Sequence, residues 1–161
     1  MSRRPDDAAV RILFFADASS VHTRRWVAAA VERGAEAIVI TRQPAEVPGA
    51  REVIAIAPGN DKLTWFKALF KVRQVSREVA KRFKPTLVHG HYVTSYGLWA
   101  AMCGLKVPKV LTAWGSDILV TPRQSRVLAW LTRAVLRRLD LSTSDSHHMA
   151  HKLTLRRSVT V

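Results

Sequence analysis

Two short clusters in this 161-residue chain, His89-Gly90-His91-Tyr92 and Trp114-Gly115-Ser116-Asp117, are built from side chains that act on hydroxyl groups. An imidazole orients or deprotonates a hydroxyl near neutral pH. An indole face, a glycine that admits close backbone approach, a hydroxyl and a carboxylate together suit a polyol such as a sugar. The plainer alternatives are a buried structural histidine at position 89 and a turn in which Ser116 or Asp117 caps a short helix. A third cluster, Asp17 to His22, would present Ser19, Ser20 and His22 at a helix N-terminus, where backbone N–H groups and the helix dipole favour an anion; a simple serine cap is its alternative. His89 and His91 lie two apart and share a face if one strand runs through both. No metal site is expected, because His147 and His151 belong to a different connection and no cysteine or carboxylate completes a set.

Alternating elements position these clusters. Val10 to Ala16 reads as a buried first strand, His22 to Arg33 as a helix, Ala37 to Thr41 and Glu52 to Ala57 as strands, and Asp61 to Lys84 as the longest helix. Pro85 to His89 and Lys109 to Ala113 read as strands four and five, with a small-residue helix, Thr94 to Gly104, between them. A helix over about Arg123 to Leu139, a strand Leu141 to Ser144, a helix Ser146 to Leu155 and a last strand from Ser158 complete the order. The fold class is therefore α/β: a Rossmann-like, mostly parallel sheet with helices on both faces and right-handed connections. Both clusters then sit at carboxyl ends of parallel strands, the edge where such sheets bind ligands. One domain over residues 10–161 is expected behind a flexible N-terminus, 1–9.

Twenty-six Lys and Arg against 12 Asp and Glu give a net charge of +14. Such a surface calls for a polyanionic neighbour. Lys62 to Lys84 holds eight basic residues against Glu78, and Arg123 to Arg138 holds five against none. The long helix gathers Trp65, Ala68, Leu69, Val72, Val75, Val79 and Phe83 on one face, while Phe66 and Phe70 fall outside that stripe. Lys62, Trp65, Phe66, Lys67, Phe70 and Lys71 are thus candidates for contact with an anionic membrane or a partner; a core helix with a solvated charged face is the alternative. Neither a helix-turn-helix nor an RNA-recognition pattern accompanies the charge, which argues against nucleic acid. The single cysteine, Cys103, fits a reducing, cytoplasmic setting. No stretch approaches the roughly 20 apolar residues of a membrane span. No G-x-G-x-x-G or Walker pattern occurs, which argues against NAD binding and ATP hydrolysis.

Taken in order, Ser19-Ser-Val-His-Thr-Arg-Arg-Trp26, Val88-His-Gly-His-Tyr92, Thr112-Ala-Trp-Gly-Ser-Asp117 and Ser144-Asp-Ser-His147 resemble the N-terminal lobe of retaining glycosyltransferases of family 4. The resemblance implies the GT-B fold, in which two Rossmann-like lobes face a cleft. The first lobe binds the acceptor, and the second binds the nucleotide sugar without a bound metal. It assigns His91 a place beside the reacting centre. Ser19, Ser20, His22, Tyr92, Ser95, Trp114, Gly115, Ser116 and Asp117 would line the acceptor side. Paired glycines common in the strand-one loop are absent here, and Trp114 stands where many members have His or Arg. The donor lobe, with its basic pair and E-x7-E carboxylates, lies outside these residues. The implied activity of the complete enzyme is transfer from a UDP- or GDP-sugar to an acceptor hydroxyl with retention. The acceptor would be a sugar or a lipid-linked, membrane-associated molecule, and the chain alone is expected to be inactive. A free-standing, non-catalytic module that binds a partner or polyanion is the alternative.

Overall fold

Continuous apolar runs rich in Val and Ile form strands buried on both faces, and the chain supplies them in turn. The computed structural model describes residues 9–56, 62–153 and 158–160; within these, 62–67, 151–152 and 158–160 are described by backbone alone. The strands are β1 (Arg11–Phe15), β2 (Glu36–Thr41), β3 (Glu52–Ala55), β4 (Leu87–His91), β5 (Lys109–Thr112), β6 (Leu141–Ser144) and β7 (Ser158–Thr160). They form one sheet in the order β3-β2-β1-β4-β5-β6-β7, and every described pair is parallel. The order reverses between β1 and β4, which makes the crevice at their carboxyl ends the topological switch point.

Register assigns the two faces. Leu13, Phe15, Val88 and Leu111 point to one side, where α2 (Lys62–Phe83), α3 (Leu98–Met102) and α6 (Arg126–Leu136) cover them. Phe14, His89 and Thr112 point to the other, toward α1 (Val21–Glu32), whose Val27 seals a core with Ile12, Phe14 and Val39. The stripe Ala68, Val72, Val75, Val79 and Phe83 of α2 is buried as its 3.6-residue spacing predicts. Cys103 is buried in the same core.

Three boundaries differ from the sequence reading. β4 runs two residues past His89, because both of its edges are paired: His89 with Phe14 and Val110, Gly90 with Phe15 and Leu111, and His91 with Thr112. The helix expected from Thr94 begins instead as a π-helical turn, Tyr92–Gly97, that leads into α3. The helix expected from Arg123 is split: its first two residues end α5 (Thr121–Gln124), a short helix that follows α4 (Ser116–Leu119), and the rest is α6. Ser125 is extended and its hydroxyl accepts from Leu128 N–H at 3.2 Å, so a fresh N-cap starts α6. Ser146 caps α7 (His147–Lys152) in the same way. The N-terminus 1–8, the Pro58-Gly59 turn and the side chains of Lys62, Trp65, Phe66 and Lys67 lie outside the described residues.

Gly90 explains how the π-helical turn reaches the sheet. A Cβ there would lie 2.9 Å from Ala100 Cβ and 3.1 Å from Gly97 Cα, so only glycine lets the segment pack against β4 between the two histidines.

Candidate functional site

The carboxyl ends of β1, β2, β4 and β5 surround a cleft of about 470 Å³ lined by Asp17, Ser20, His22, Thr23, Arg42, His91, Tyr92, Ser95, Tyr96 and Trp114. Of the residues singled out by sequence, Ser20, His22, His91, Tyr92, Ser95 and Trp114 are brought together here. Asp17, Thr23, Arg42 and Tyr96 complete the wall. Arg42 follows the end of β2, so the rule that pointed to the ends of strands four and five also reaches it.

The two histidines of β4 have separate environments. His89 Nε2 lies 2.8 Å from Thr112 Oγ1, which lies 2.8 Å from Thr143 Oγ1, forming a buried polar chain across β4, β5 and β6. Its ring packs against Phe14 at 5.1 Å and edge-on against Trp26 at 4.9 Å. Burial, with a smaller contribution from His91, drives its pKa well below the usual histidine value. His89 is thus a neutral structural residue. His91 is also only 3% exposed, yet its Nε2 has no hydrogen-bond partner among the described residues. Burial first, and the charge of His22 second, lower its pKa to about 4. A buried polar atom without a partner is rare and costly, and this one belongs to a residue that lines the cleft. At neutral pH it is an uncharged imidazole, suited to hydrogen-bonding a hydroxyl and too weakly basic to hold its proton.

Aromatic rings fix that imidazole in place. Trp26 and Trp114 meet His91 at 6.1 and 5.6 Å, and His22 stacks on Trp114 at 4.3 Å. Tyr92 follows with φ 65°, a left-handed conformation that costs a non-glycine residue roughly 1 kcal/mol and gathers at functional sites. Its hydroxyl lies 3.1 Å from Ser116 Oγ, tying the β4 and β5 loops together.

The loop Trp114 to Asp117 divides its work. Trp114 lines the cleft, while Gly115, at φ +91°, turns the backbone into α4. Asp117 is wholly buried; Oδ2 accepts from Val93 N–H at 2.9 Å and Oδ1 from Trp114 N–H at 3.1 Å. Burial raises its pKa against the pull of these backbone donors. Its carboxylate clamps the start of the π-helical turn to the loop that carries the indole. Asp117→Asn places an amide N–H₂ against one of those donors, and is expected to cost about 1–3 kcal/mol. Urea denaturation checks this, and an unchanged midpoint would refute the clamp. Ser19 does not line the cleft: its N–H and hydroxyl both donate to Asp17 Oδ1, at 2.9 and 2.7 Å. Ser20 accepts from His22 N–H at 3.3 Å as the N-cap of α1, so the cap is real and it stands at the cleft.

Among the described residues, no group of three or more His, Cys, Asp or Glu side chains is placed to hold a metal ion. No described helix is long and apolar enough to cross a membrane.

The family of glycosyl transferase 4-like proteins matches residues 11–146, a span that holds all four motifs through Ser146. The chain belongs to this family. Sucrose-phosphate synthase from Thermosynechococcus elongatus superposes with a TM-score of 0.71 at 14% identity, over 94% of this chain and 47% of that one. A Listeria monocytogenes protein named as a UDP-N-acetylglucosamine 2-epimerase superposes with a TM-score of 0.64 at 11% identity, over 91% and 42%. A further UDP-N-acetylglucosamine 2-epimerase gives 0.54 at 12% identity, over 90% and 44%. No curated protein matches the sequence at a significant level. The chain therefore has the fold of one Rossmann-like lobe and spans about half the length of the solved structures it resembles.

Proposed function

We propose that this lobe is the acceptor-binding half of a glycosyltransferase. The complete enzyme would move a sugar from a UDP- or GDP-sugar to an acceptor hydroxyl with retained configuration, on a lipid-linked or membrane-associated acceptor. The observation that carries the reading is the Nε2 of His91, without a hydrogen-bond partner among the described residues and held beside the Trp114 indole at the switch point of a glycosyl transferase 4-like lobe. An acceptor hydroxyl would satisfy that nitrogen, and a sugar ring would lie on the indole. Ser20, His22, Arg42, Tyr92 and Ser95 supply the remaining polar contacts. Arg42 and the N-terminus of α1 favour negative charge at the same wall, which suits a phosphate of donor or acceptor. The name of the Listeria protein contains a nucleotide sugar, which supports a ligand of that class.

The donor would be held by a second lobe, in the same polypeptide or supplied by another. The purified 161-residue chain is expected to show no sugar transfer above background with any nucleotide sugar. The same chain joined to, or mixed with, its donor lobe is expected to transfer. Turnover by the lobe alone would refute the two-lobe reading, and no transfer by the joined lobes with any UDP- or GDP-sugar would refute sugar transfer from these donors.

A further inference from the structure

α6 buries Thr132, Val135 and Leu136 against the sheet layer, and helical spacing turns Arg126, Val127, Trp130, Arg133 and Arg137 outward. Val127 is 71% exposed and Trp130 68%, on a helix whose inner stripe already satisfies the core. Val127 and Trp130 lie one turn apart on the same face as Arg126, Arg133 and Arg137, so they form an apolar pair among cations rather than singly scattered side chains. Between Asp117 and Asp140 the chain holds five arginines and no acid. Both ion pairs among the described residues, Arg51 with Glu36 and Arg82 with Glu52, lie at the β2-β3 side, so the arginines of this segment have no carboxylate partner there. On α2, which covers the same face of the sheet, Phe70 is also exposed; Leu69 beside it packs into the cluster that α6 closes.

An exposed indole and isopropyl group among closely spaced cations are what a protein surface offers to the headgroup region of an anionic bilayer, where an indole anchors and arginines meet phosphates. Discrete carboxylates of a protein partner would demand paired geometry, whereas a dense array of lipid phosphates accepts charges spaced along a helix. We infer that the outer face of α6 is a membrane-docking surface: Val127 and Trp130 enter the headgroup region of an anionic bilayer, and Arg126, Arg133 and Arg137 meet its phosphates. This rests on the membrane-associated acceptor proposed above and assigns the surface that would bring the lobe to it.

The test is sedimentation of the purified chain with phosphatidylcholine vesicles, with and without phosphatidylglycerol. The chain is expected to bind only the anionic vesicles, less tightly as salt rises. Arg126→Gln with Arg133→Gln should weaken that binding about 30-fold, since each lipid-facing cation contributes about 1 kcal/mol, and Val127→Ser with Trp130→Ser should separately weaken it on the order of 10-fold or more through lost apolar burial. Arg24→Gln, a charge change on the α1 side, should leave binding nearly unchanged. All substituted side chains are exposed, so circular dichroism should report the native fold in each variant. Failure of the wild-type chain to bind anionic vesicles, or undiminished binding by the α6 variants, would overturn the inference. So would a concentration-dependent dimer that the Val127 and Trp130 substitutions abolish without any vesicle binding. Vesicle binding is read without donor or acceptor: a joined enzyme that transfers sugar but ignores vesicles sinks only the docking face. One that docks through α6 and never transfers sinks only the sugar-transfer reading.

Discussion

Acidification from pH 7 to pH 5 is expected to destabilise the folded domain by about 2 kcal/mol through His91 alone. In the folded chain His91 titrates at about 4, because burial and then the charge of His22 oppose its protonation. Its unfolded value is near 6.5. Folded pKa below unfolded pKa means that the unfolded chain takes up the proton first, so stability is full above about 6.5. It is lost as pH falls through the window from 6.5 to 4, on the order of 3 kcal/mol by its lower end. His89, lowered further by complete burial and by His91, acts in the same direction. Asp117 acts against them, since its raised pKa gives a penalty that is relieved as pH falls. Urea denaturation from pH 4 to 8 reads the balance. His91→Gln should flatten the acid limb by about 2 kcal/mol at pH 5, and a limb identical to wild type would show that His91 is not held neutral by burial.

The same pair shows what the sequence revealed and what it could not. Period-2 spacing made a shared face for His89 and His91 legible, and the order of β-branched runs made the sheet legible. A structural role for His89 was legible as an alternative, but what confers it was not. Thr112 and Thr143, which occupy the Nε2 of His89, come from two other strands, and nothing in the local sequence says that their hydroxyls meet it. Likewise Asp117 looked like a ligand-facing carboxylate beside Ser116, but its partners, the N–H groups of Val93 and Trp114, become neighbours only after β4 and β5 pair. Strand β4 outran its predicted end for a related reason. His-Gly-His reads as a polar turn in isolation, whereas between β1 and β5 it is paired on both sides and its glycine admits the following segment. The basic segment after Asp117 was visible as composition, but that Trp130 and Val127 face outward depends on Ser125 restarting the helix.

Removing the His91 imidazole from the complete enzyme is expected to lower kcat by about 10² to 10³ while leaving KM within a few-fold. That is what losing one preorganised hydrogen-bonding group at a reacting centre costs; a larger loss would need the proton transfer that this weakly basic imidazole does not perform. The geometry makes this loss separable from misfolding. His91 Nε2 has no hydrogen-bond partner among the described residues, so His91→Ala discards none of their hydrogen bonds from that atom. It also removes a group that costs stability in acid. The variant's acid limb should therefore be flatter than that of wild type, even where loss of the ring's packing against Phe14, Trp26 and Trp114 makes its stability at pH 7 lower. Urea denaturation at pH 7 checks that it is folded where kcat is read. His91→Gln, which restores a hydrogen-bonding group at similar reach, should recover part of the rate. Because the imidazole is uncharged down to about pH 4, its own titration should put no limb in the kcat profile between pH 5 and 8. A general-base role for a histidine near its ordinary pKa would instead show a limb near 6.5 that disappears in His91→Gln. A kcat for His91→Ala within about threefold of wild type would mean that the open nitrogen meets no reacting group. Loss of rate together with recovery in His91→Gln would place the acceptor hydroxyl at Nε2, against the Trp114 indole.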